Sequence, residues 1–249
     1  MLPAILGVAK QIERYTGLTY VAGLWGKDLP RGLLWANDLK RSFEGPKPLE
    51  TGAPSWSWAS ATGEKYWPEV QTPSPRETIG WAPKIISASE LKLVLRCRYV
   101  RVSLKRSPPN SPSTDVILGQ HNNNSLDYGW DLRTTAEVYL WSEHGHGDRI
   151  GWMMADDAYT DPSSHACCMA LEIIRTHQRY PNGLKPEDGT FAETLSAKVW
   201  FLIVVPHPDV EGGWKRIGVG MSVNPDEDLD AIAADSIFER GDNDCMSLS

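Results

Sequence analysis

The feature that most constrains the fold is a series of strand-like segments with no long helical pattern between them. Apolar residues in these segments alternate with polar ones or form short runs, as in half-buried or buried strands. The segments are 55–60, 91–104, 136–141, 149–154, 166–176, 198–205 and 214–223. The last two flank the turn-rich sequence PHPDVEGG and are predicted to form a hairpin. Strands this numerous predict an antiparallel sheet that curls into a barrel or a sandwich.

Two helices are predicted before these strands. The first covers residues 2–15, and its apolar positions recur at helical spacing. These positions are Leu2, Ile5, Leu6, Ala9 and Ile12. The second helix is expected to begin at Asp28, a favourable N-cap residue, with Pro30 in its first turn. The predicted fold class is therefore α+β and mainly antiparallel β, a barrel-like sheet with two N-terminal helices packed on it.

Three regions are expected within one compact domain of 249 residues. Residues 1–45 form an N-terminal helical segment, residues 46–225 a β-rich barrel-like domain, and residues 226–249 an acidic C-terminal tail. A short helix is predicted over residues 228–238. The last residues, from 241 onward, are expected to be frayed, as chain ends often are.

Charge and cysteine content bear on the class of function. The net charge is −7, whereas nucleic-acid binding needs a basic surface, so no nucleic-acid partner is expected. No apolar run reaches the ~18 residues of a transmembrane helix, so no membrane partner is expected either. The N-terminus lacks the features of a secretory signal, and the four cysteines without a CxxC motif fit reduced thiols. A cytoplasmic location is predicted, and the oligomeric state is left open.

Several sequence blocks resemble the region that follows the heterokaryon-incompatibility (HET) domain in filamentous-fungal proteins. These blocks are LPAILGVAK (2–10), YVAGLWGKDLPRGLLW (20–35), APSWSWAS (53–60) and WKRIGVG (214–220). The HET domain itself would lie upstream of residue 1. The resemblance therefore implies the partner region of such a protein, either as a fragment or as a free-standing protein. The cell-death function of the family is not carried over to this chain.

The sequence EHGHGDR is the one candidate metal site. His144, His146 and Asp148 alternate there, which would place both imidazoles on one face of a strand. The intervening glycines favour a solvated loop, so no metal is expected. Glycine-rich motifs that cradle nucleotide phosphates are absent from the sequence, so no cofactor is expected.

Nucleophilic catalysis has a weak sequence signal in SSHACC, where Ser164, His165 and Cys168 lie close together. A catalytic triad is a spatial arrangement, however, and closeness in sequence does not establish one. A hydrolase would need His165 or His207 within hydrogen-bond reach of a serine or cysteine nucleophile.

Tryptophan is unusually frequent, with 11 residues against 4 phenylalanines. Strict alternation in SWSWAS predicts a strand with Trp56 and Trp58 on one face. One interpretation is that the tryptophans fix the N-terminal helices onto the barrel. In the other, Trp56, Trp58, Tyr99, Trp152 and Trp200 line an apolar cavity, because a small closed sheet can hold one ligand.

In the second interpretation the chain is a cofactor-independent small-molecule enzyme of fungal secondary metabolism. An apolar, terpenoid- or polyketide-like substrate held in a reactive conformation could cyclise, for example by the intramolecular [4+2] cycloaddition of a Diels-Alderase. His165 and Asp157 are the candidate hydrogen-bond donors or acids. The alternative is a non-catalytic interaction or regulatory module of a HET-type incompatibility protein. A cavity lined by the indoles would favour the enzyme, and a solid interior would favour the module.

Overall fold

The computed structural model describes residues 2–37, 52–67, 77–106, 135–141, 147–156, 164–165, 167–181, 193–222, 238 and 242–249. Helix α1 spans Leu2–Thr16 and helix α2 spans Leu29–Gly32. Two 3₁₀ turns cover Gly26–Asp28 and Trp58–Ser60. None of the helices in these ranges is long and apolar enough to cross a membrane.

Thirteen strands are present in the described ranges. They are β1 (Tyr20–Val21), β2 (Leu24–Trp25), β3 (Ala36–Asn37), β4 (Lys65–Tyr66), β5 (Glu77–Trp81), β6 (Lys84–Ala88), β7 (Leu93–Arg106), β8 (Thr135–Leu140), β9 (Arg149–Ala155), β10 (Cys168–Pro181), β11 (Glu193–Pro206), β12 (Trp214–Ser222) and β13 (Asp242–Leu248). The predicted hairpin is confirmed as β11 and β12, which pair antiparallel.

Six of the strands form a closed ring in the order β7, β8, β9, β12, β11, β10 and back to β7. Every pairing around the ring is antiparallel. β7 closes it, because residues 99–102 pair with β10 while residues 102–106 pair with β8. The predicted fold class, a mainly antiparallel barrel-like sheet with two N-terminal helices packed on it, is confirmed.

Alternation along the strands separates two apolar clusters, one on each face of the ring. On β11, Phe201 and Ile203 belong to the inner cluster, whereas Leu202 and Val204 belong to the outer one. The inner cluster also takes in Phe238, whose ring centroid lies 6.0 Å from that of Phe201. Period-2 alternation thus gives β11 two buried faces.

The N-terminal segment, which here means residues 2–37 and 52–67, covers the outer face of the ring. Leu29, Leu33, Leu34 and Trp56 are buried there and belong to the same cluster as the outward-facing residues of β11. Burial of four large apolar side chains stabilises this contact by several kcal/mol, at about 1.5–3 kcal/mol for each side chain. This packing fixes the position of the N-terminal segment relative to the ends of β9, β10, β11 and β12, which are described in the next subsection.

Helix α1 is confirmed, but most of its apolar residues do not pack on the body of the protein. Ala9 is buried and the Glu13 carboxylate accepts a hydrogen bond from the Tyr20 N–H at 2.6 Å. Val8 is 63% exposed and Tyr15 is 88% exposed. The contact of α1 with the body is therefore narrower than its sequence pattern suggests.

Two local predictions are wrong. Residues 55–60 form a turn that leads into the 3₁₀ helix Trp58–Ser60 and not a strand. The Ser57 hydroxyl oxygen accepts a hydrogen bond from the Ala59 N–H at 3.2 Å, a local contact that competes with extended backbone. The chain end is not frayed either, since residues 242–248 form β13, which pairs with β7. The predicted helix over 228–238 lies outside the described residues except for Phe238.

Candidate functional site

A cleft of about 840 Å³ lies at the end of the ring where β9 and β11 finish and β10 and β12 begin. One wall is the loop 52–55 with residues 60 and 61, and another is the β11–β12 hairpin. Leu91, Asp156, His165, Cys167 and Ser249 line the remaining sides. Polar side chains from distant parts of the sequence therefore meet apolar ones at a single concave surface.

Arg216, in β12, fixes the base of this cleft. Its side chain is fully buried and forms a bidentate pair with Asp156, since Nε donates to Oδ2 and Nη2 donates to Oδ1, both at 2.8 Å. Nη2 also donates to the Trp35 carbonyl at 2.5 Å, and Nη1 donates to the Leu33 carbonyl. The guanidinium thus ties the ring to the N-terminal segment and to the end of β9.

The electrostatics around Arg216 balance burial against pairing. Burial lowers the pKa of the Arg216 guanidinium, and the charge and hydrogen bonds of Asp156 raise it. The guanidinium carbon also lies 3.8 Å from the centroid of the Trp35 ring, a cation–π stack. The Asp156 carboxylate is consequently held in one orientation beside the cleft.

Lys65 lies near the same ring, with its Nζ atom 5.5 Å from the Trp35 ring centroid. Nζ donates hydrogen bonds to the carbonyls of Ala61, Thr62 and Gly63 at 2.9, 2.8 and 3.1 Å. Burial lowers the pKa of Lys65 to about 8, while the Asp156 charge raises it and the Arg216 charge lowers it further.

This lowered pKa predicts a pH-dependent stability. Between about pH 8 and its ordinary value of 10.5, the folded chain has released the Lys65 proton while the unfolded chain still holds it. Because the unfolded state binds more protons there, the free energy of unfolding should rise with pH relative to that of the K65M variant. Urea unfolding of both proteins from pH 7 to 10.5 measures the difference between their free energies of unfolding. Groups that titrate in the same way in both proteins cancel in this difference. A difference that stays constant over this range would contradict the prediction.

The tryptophans of the N-terminal segment act mainly as hydrogen-bond donors to backbone carbonyls. The indole N–H of Trp58 donates to the Gly23 carbonyl at 2.8 Å, and that of Trp35 donates to the Trp56 carbonyl at 3.0 Å. Gly23 has a φ of +94°, and a Cβ atom there would lie 2.5 Å from Nε1 of Trp58. Irregular segments leave carbonyls without sheet partners, and these indoles supply the missing donors.

Hydrogen bonds and burial define the chemistry of His207 at the cleft and of Cys168 near it. His207 Nδ1 accepts a hydrogen bond from the Asp209 N–H at 3.1 Å, so in the neutral imidazole the proton is on Nε2. The Cys168 thiol donates to the backbone carbonyl of His165 at 3.8 Å and does not line the cleft. Burial raises the pKa of Cys168 to about 12, with the Cys167 charge adding to the effect. Cys168 is therefore a poor nucleophile at neutral pH.

Comparisons with protein-family profiles, curated proteins and solved structures find no match for this chain. The resemblance to HET-associated regions therefore stays a prediction. The second and fourth of the blocks that carry it are in contact, because Arg216 of the fourth block binds the carbonyls of Leu33 and Trp35 of the second.

Of the residues predicted for the site, His165 lines the cleft. Asp157 and the histidines of the EHGHGDR sequence lie outside the described residues. Asp156, the neighbour of Asp157 in sequence, does line the cleft. In the described part of the chain, no cluster of three or more histidine, cysteine, aspartate or glutamate residues could hold a metal ion.

The five predicted aromatic residues line neither this cleft nor a smaller pocket of about 520 Å³ beside α2. Trp56 is buried in the outer cluster, and Trp58, Tyr99 and Trp200 pack against that cluster. Trp152 is buried, with the guanidinium carbon of Arg149 lying 5.1 Å from its ring centroid. Trp56, Trp58, Tyr99 and Trp200 are therefore part of the packing between the strands and the N-terminal segment.

Sequence reasoning missed most of the cleft, including Asp156, Cys167, Lys215 and Ser249. The turn-rich connector at 206–213 offered one available signal, because a hairpin turn places polar residues at a strand end. Nothing in the sequence indicates that residues 52–61 lie beside that turn, because the two segments are far apart along the chain and come together only in the fold.

Proposed function

We propose that this chain is a cytoplasmic, cofactor-independent enzyme that acts on a small, mostly apolar organic molecule in the cleft. The observation that carries the proposal is the position of His165, which shares one concave surface with apolar side chains and with a carboxylate oriented by Arg216. A volume of about 840 Å³ falls within the range of small-molecule sites, whose walls are mostly apolar with a few polar groups.

His165 is the residue proposed to move a proton. An imidazole exchanges protons near neutral pH and serves as donor or acceptor without any cofactor. Apolar walls that hold a flexible substrate in a reactive conformation, together with one hydrogen bond or proton, suit isomerisation and intramolecular cyclisation, including [4+2] cycloaddition. The resemblance to filamentous-fungal sequences is the reason to place this chemistry in fungal secondary metabolism.

Disulfide trapping at Cys167 tests the proposal, because Cys167 lines the cleft and Cys245 is exposed elsewhere. The chain is incubated with a library of small disulfide-bearing fragments under partly reducing conditions, and each cysteine is read out by peptide mass spectrometry. We expect Cys167 to select a few apolar fragments with one polar group, whereas Cys245 shows no preference. Equal, unselective capture at both cysteines would contradict a ligand site.

The catalytic role of His165 is tested on the compounds that these fragments identify. For a compound that the chain converts, H165Q should lower the rate about 10²–10⁴-fold, the usual contribution of a general acid or base. The same variant should still capture the fragment at Cys167. An unchanged rate would remove His165 from the chemistry.

The second candidate is a non-catalytic interaction module, favoured by the packing of the tryptophans. Trp35 and Trp56 are fully buried, and the indoles of Trp35 and Trp58 hold backbone carbonyls in place. A scaffold needs this rigidity and has no need of a ligand. Unselective capture at Cys167 would therefore favour the module over the enzyme.

A further inference from the structure

We propose that the ligand of the cleft is an amphiphile, an extended apolar molecule that carries an anionic head group such as a carboxylate. This inference rests on the proposed function, because it names the ligand class for the same site. The head group would lie at Lys215 and Ser249, and the apolar part would lie along the β11–β12 hairpin.

The strand register places Lys215 and Ser249 side by side. β12 and β13 run parallel with Trp214 opposite Leu248, and the Ser249 N–H donates to the Trp214 carbonyl at 3.0 Å. The residues that follow on the two strands, Lys215 and Ser249, therefore lie on one face of the sheet, and both line the cleft. An ammonium and a hydroxyl on neighbouring residues of one face suit an oxyanion, which can accept hydrogen bonds from both.

The Ser249 hydroxyl is an independent sign of a missing partner. Its oxygen is buried and makes no hydrogen bond within the described part of the chain. A buried hydroxyl without a partner costs free energy that a bound acceptor would recover. This oxygen is covered by the protein, and a rotation about the Cα–Cβ bond of Ser249, which lines the cleft, would bring it to an acceptor on a ligand there.

Among the described charged residues that line the cleft, Lys215 is the one placed to bind the anionic head group of the ligand. The Arg216 guanidinium is occupied by Asp156 and by two backbone carbonyls. Lys215 is exposed and makes no ion pair with any residue in the described ranges. Two carboxylates of the described lining oppose an anion here, Asp209, which is exposed on the hairpin, and Asp156, whose charge is paired with Arg216. A ligand carboxylate at Lys215 therefore gains an attraction that Asp209 weakens.

The apolar part of the ligand has a continuous path on the same wall. Val205 is buried and Ile217 half-buried at the strand ends, and Pro206 and Pro208 continue along the hairpin. Leu91 lies on the lining with 67% of its surface exposed. A chain of methylene groups that covers the exposed ones, Pro206, Pro208 and Leu91, removes apolar area from water, at about 25 cal/mol per Å².

Decanoate and 1-decanol are the probes, since they share a chain length and differ in charge. Binding is measured as protection of Cys167 from alkylation, with Cys245 as the unprotected internal reference. We expect decanoate to protect at lower concentration than decanol. K215Q should weaken decanoate binding about tenfold, the equivalent of one charge-assisted hydrogen bond, and leave decanol unchanged. K92Q, at an exposed lysine outside the cleft lining, is the matched control and should change neither.

The D209N variant supplies a test in the opposite direction, because removal of the opposing charge should strengthen decanoate binding. Equal protection by decanoate and decanol, unaffected by K215Q and D209N, would overturn the amphiphile and leave the proposed site intact. Failure of both probes to protect Cys167 would overturn the amphiphile as well, and trapping of uncharged fragments would then show whether the site itself stands.

Discussion

Replacement of Arg216 by methionine is expected to lower the free energy of unfolding by about 3–5 kcal/mol, the usual cost of removing one partner from a buried ion pair. The variant leaves the Asp156 carboxylate without its bidentate partner. It also leaves the carbonyls of Leu33 and Trp35 without the donors that hold them. Chemical denaturation monitored by tryptophan fluorescence measures the loss.

Arg31 provides the matched control for this experiment. It is partly exposed and lies 4.0 Å from Asp28, so R31M should change the free energy of unfolding by less than about 1 kcal/mol. R216K keeps the charge but loses the planar fork, and an intermediate loss is expected. If R216M were as stable as R31M, Arg216 would not tie the N-terminal segment to the ring.

Cys97 and Cys168 are expected to react with iodoacetamide about 10³ times more slowly than Cys245 at pH 8, because alkylation requires the thiolate. Both thiols are buried, and burial raises the pKa of each to about 12. The charges of Glu172 and Cys245 add to the effect at Cys97, and that of Cys167 adds to it at Cys168. Cys245 is exposed at the surface.

Peptide mass spectrometry after timed alkylation gives the rate at each cysteine. In 6 M guanidinium chloride, where burial is lost, all four cysteines should react at similar rates. Fast labelling of Cys97 or Cys168 in the folded chain would show that the faces on which they lie are open to solvent, which the closed ring and the packed N-terminal segment do not allow.

The strands could be predicted because their signal is local. The first part of β7 alternates, and the buried positions Leu93, Leu95 and Cys97 are those that the sequence places on one side. Further along the strand the phase changes, and Val102 and Leu104 are the buried positions. Such alternation needs no knowledge of the partner strands. The same holds for the hairpin of β11 and β12, whose turn residues lie between two apolar runs.

Tertiary contacts, which a local pattern does not show, contribute to both wrong predictions. SWSWAS alternates as a strand does, yet the Ser57 hydroxyl donates to the Ala22 carbonyl at 2.6 Å and fixes a turn. The polar segment of residues 242–248 has little strand character, yet β7 offers it a free edge to pair with. Neither contact partner is near in sequence.

The candidate site was harder to predict than the fold, because its residues come from distant segments. From the sequence, His165 could be selected for its chemistry, and it lines the cleft. The tryptophans were predicted to line an apolar cavity, whereas indoles such as that of Trp58 bind backbone carbonyls. Burial of a charged residue such as Arg216 has no local signature. It depends on carbonyls and a carboxylate that only the folded chain brings together.

The location of the ligand site is tested most directly by ¹⁵N NMR of the imidazole and indole side chains during titration with decanoate. A ligand in the cleft should shift the signals of His165 and His207 while the indole signals of Trp56, Trp58, Trp152 and Trp200 stay in place. Shifts of these indole signals, with both imidazole signals unchanged, would contradict a site at this end of the ring. They would indicate instead that the ligand binds in a cavity lined by tryptophan.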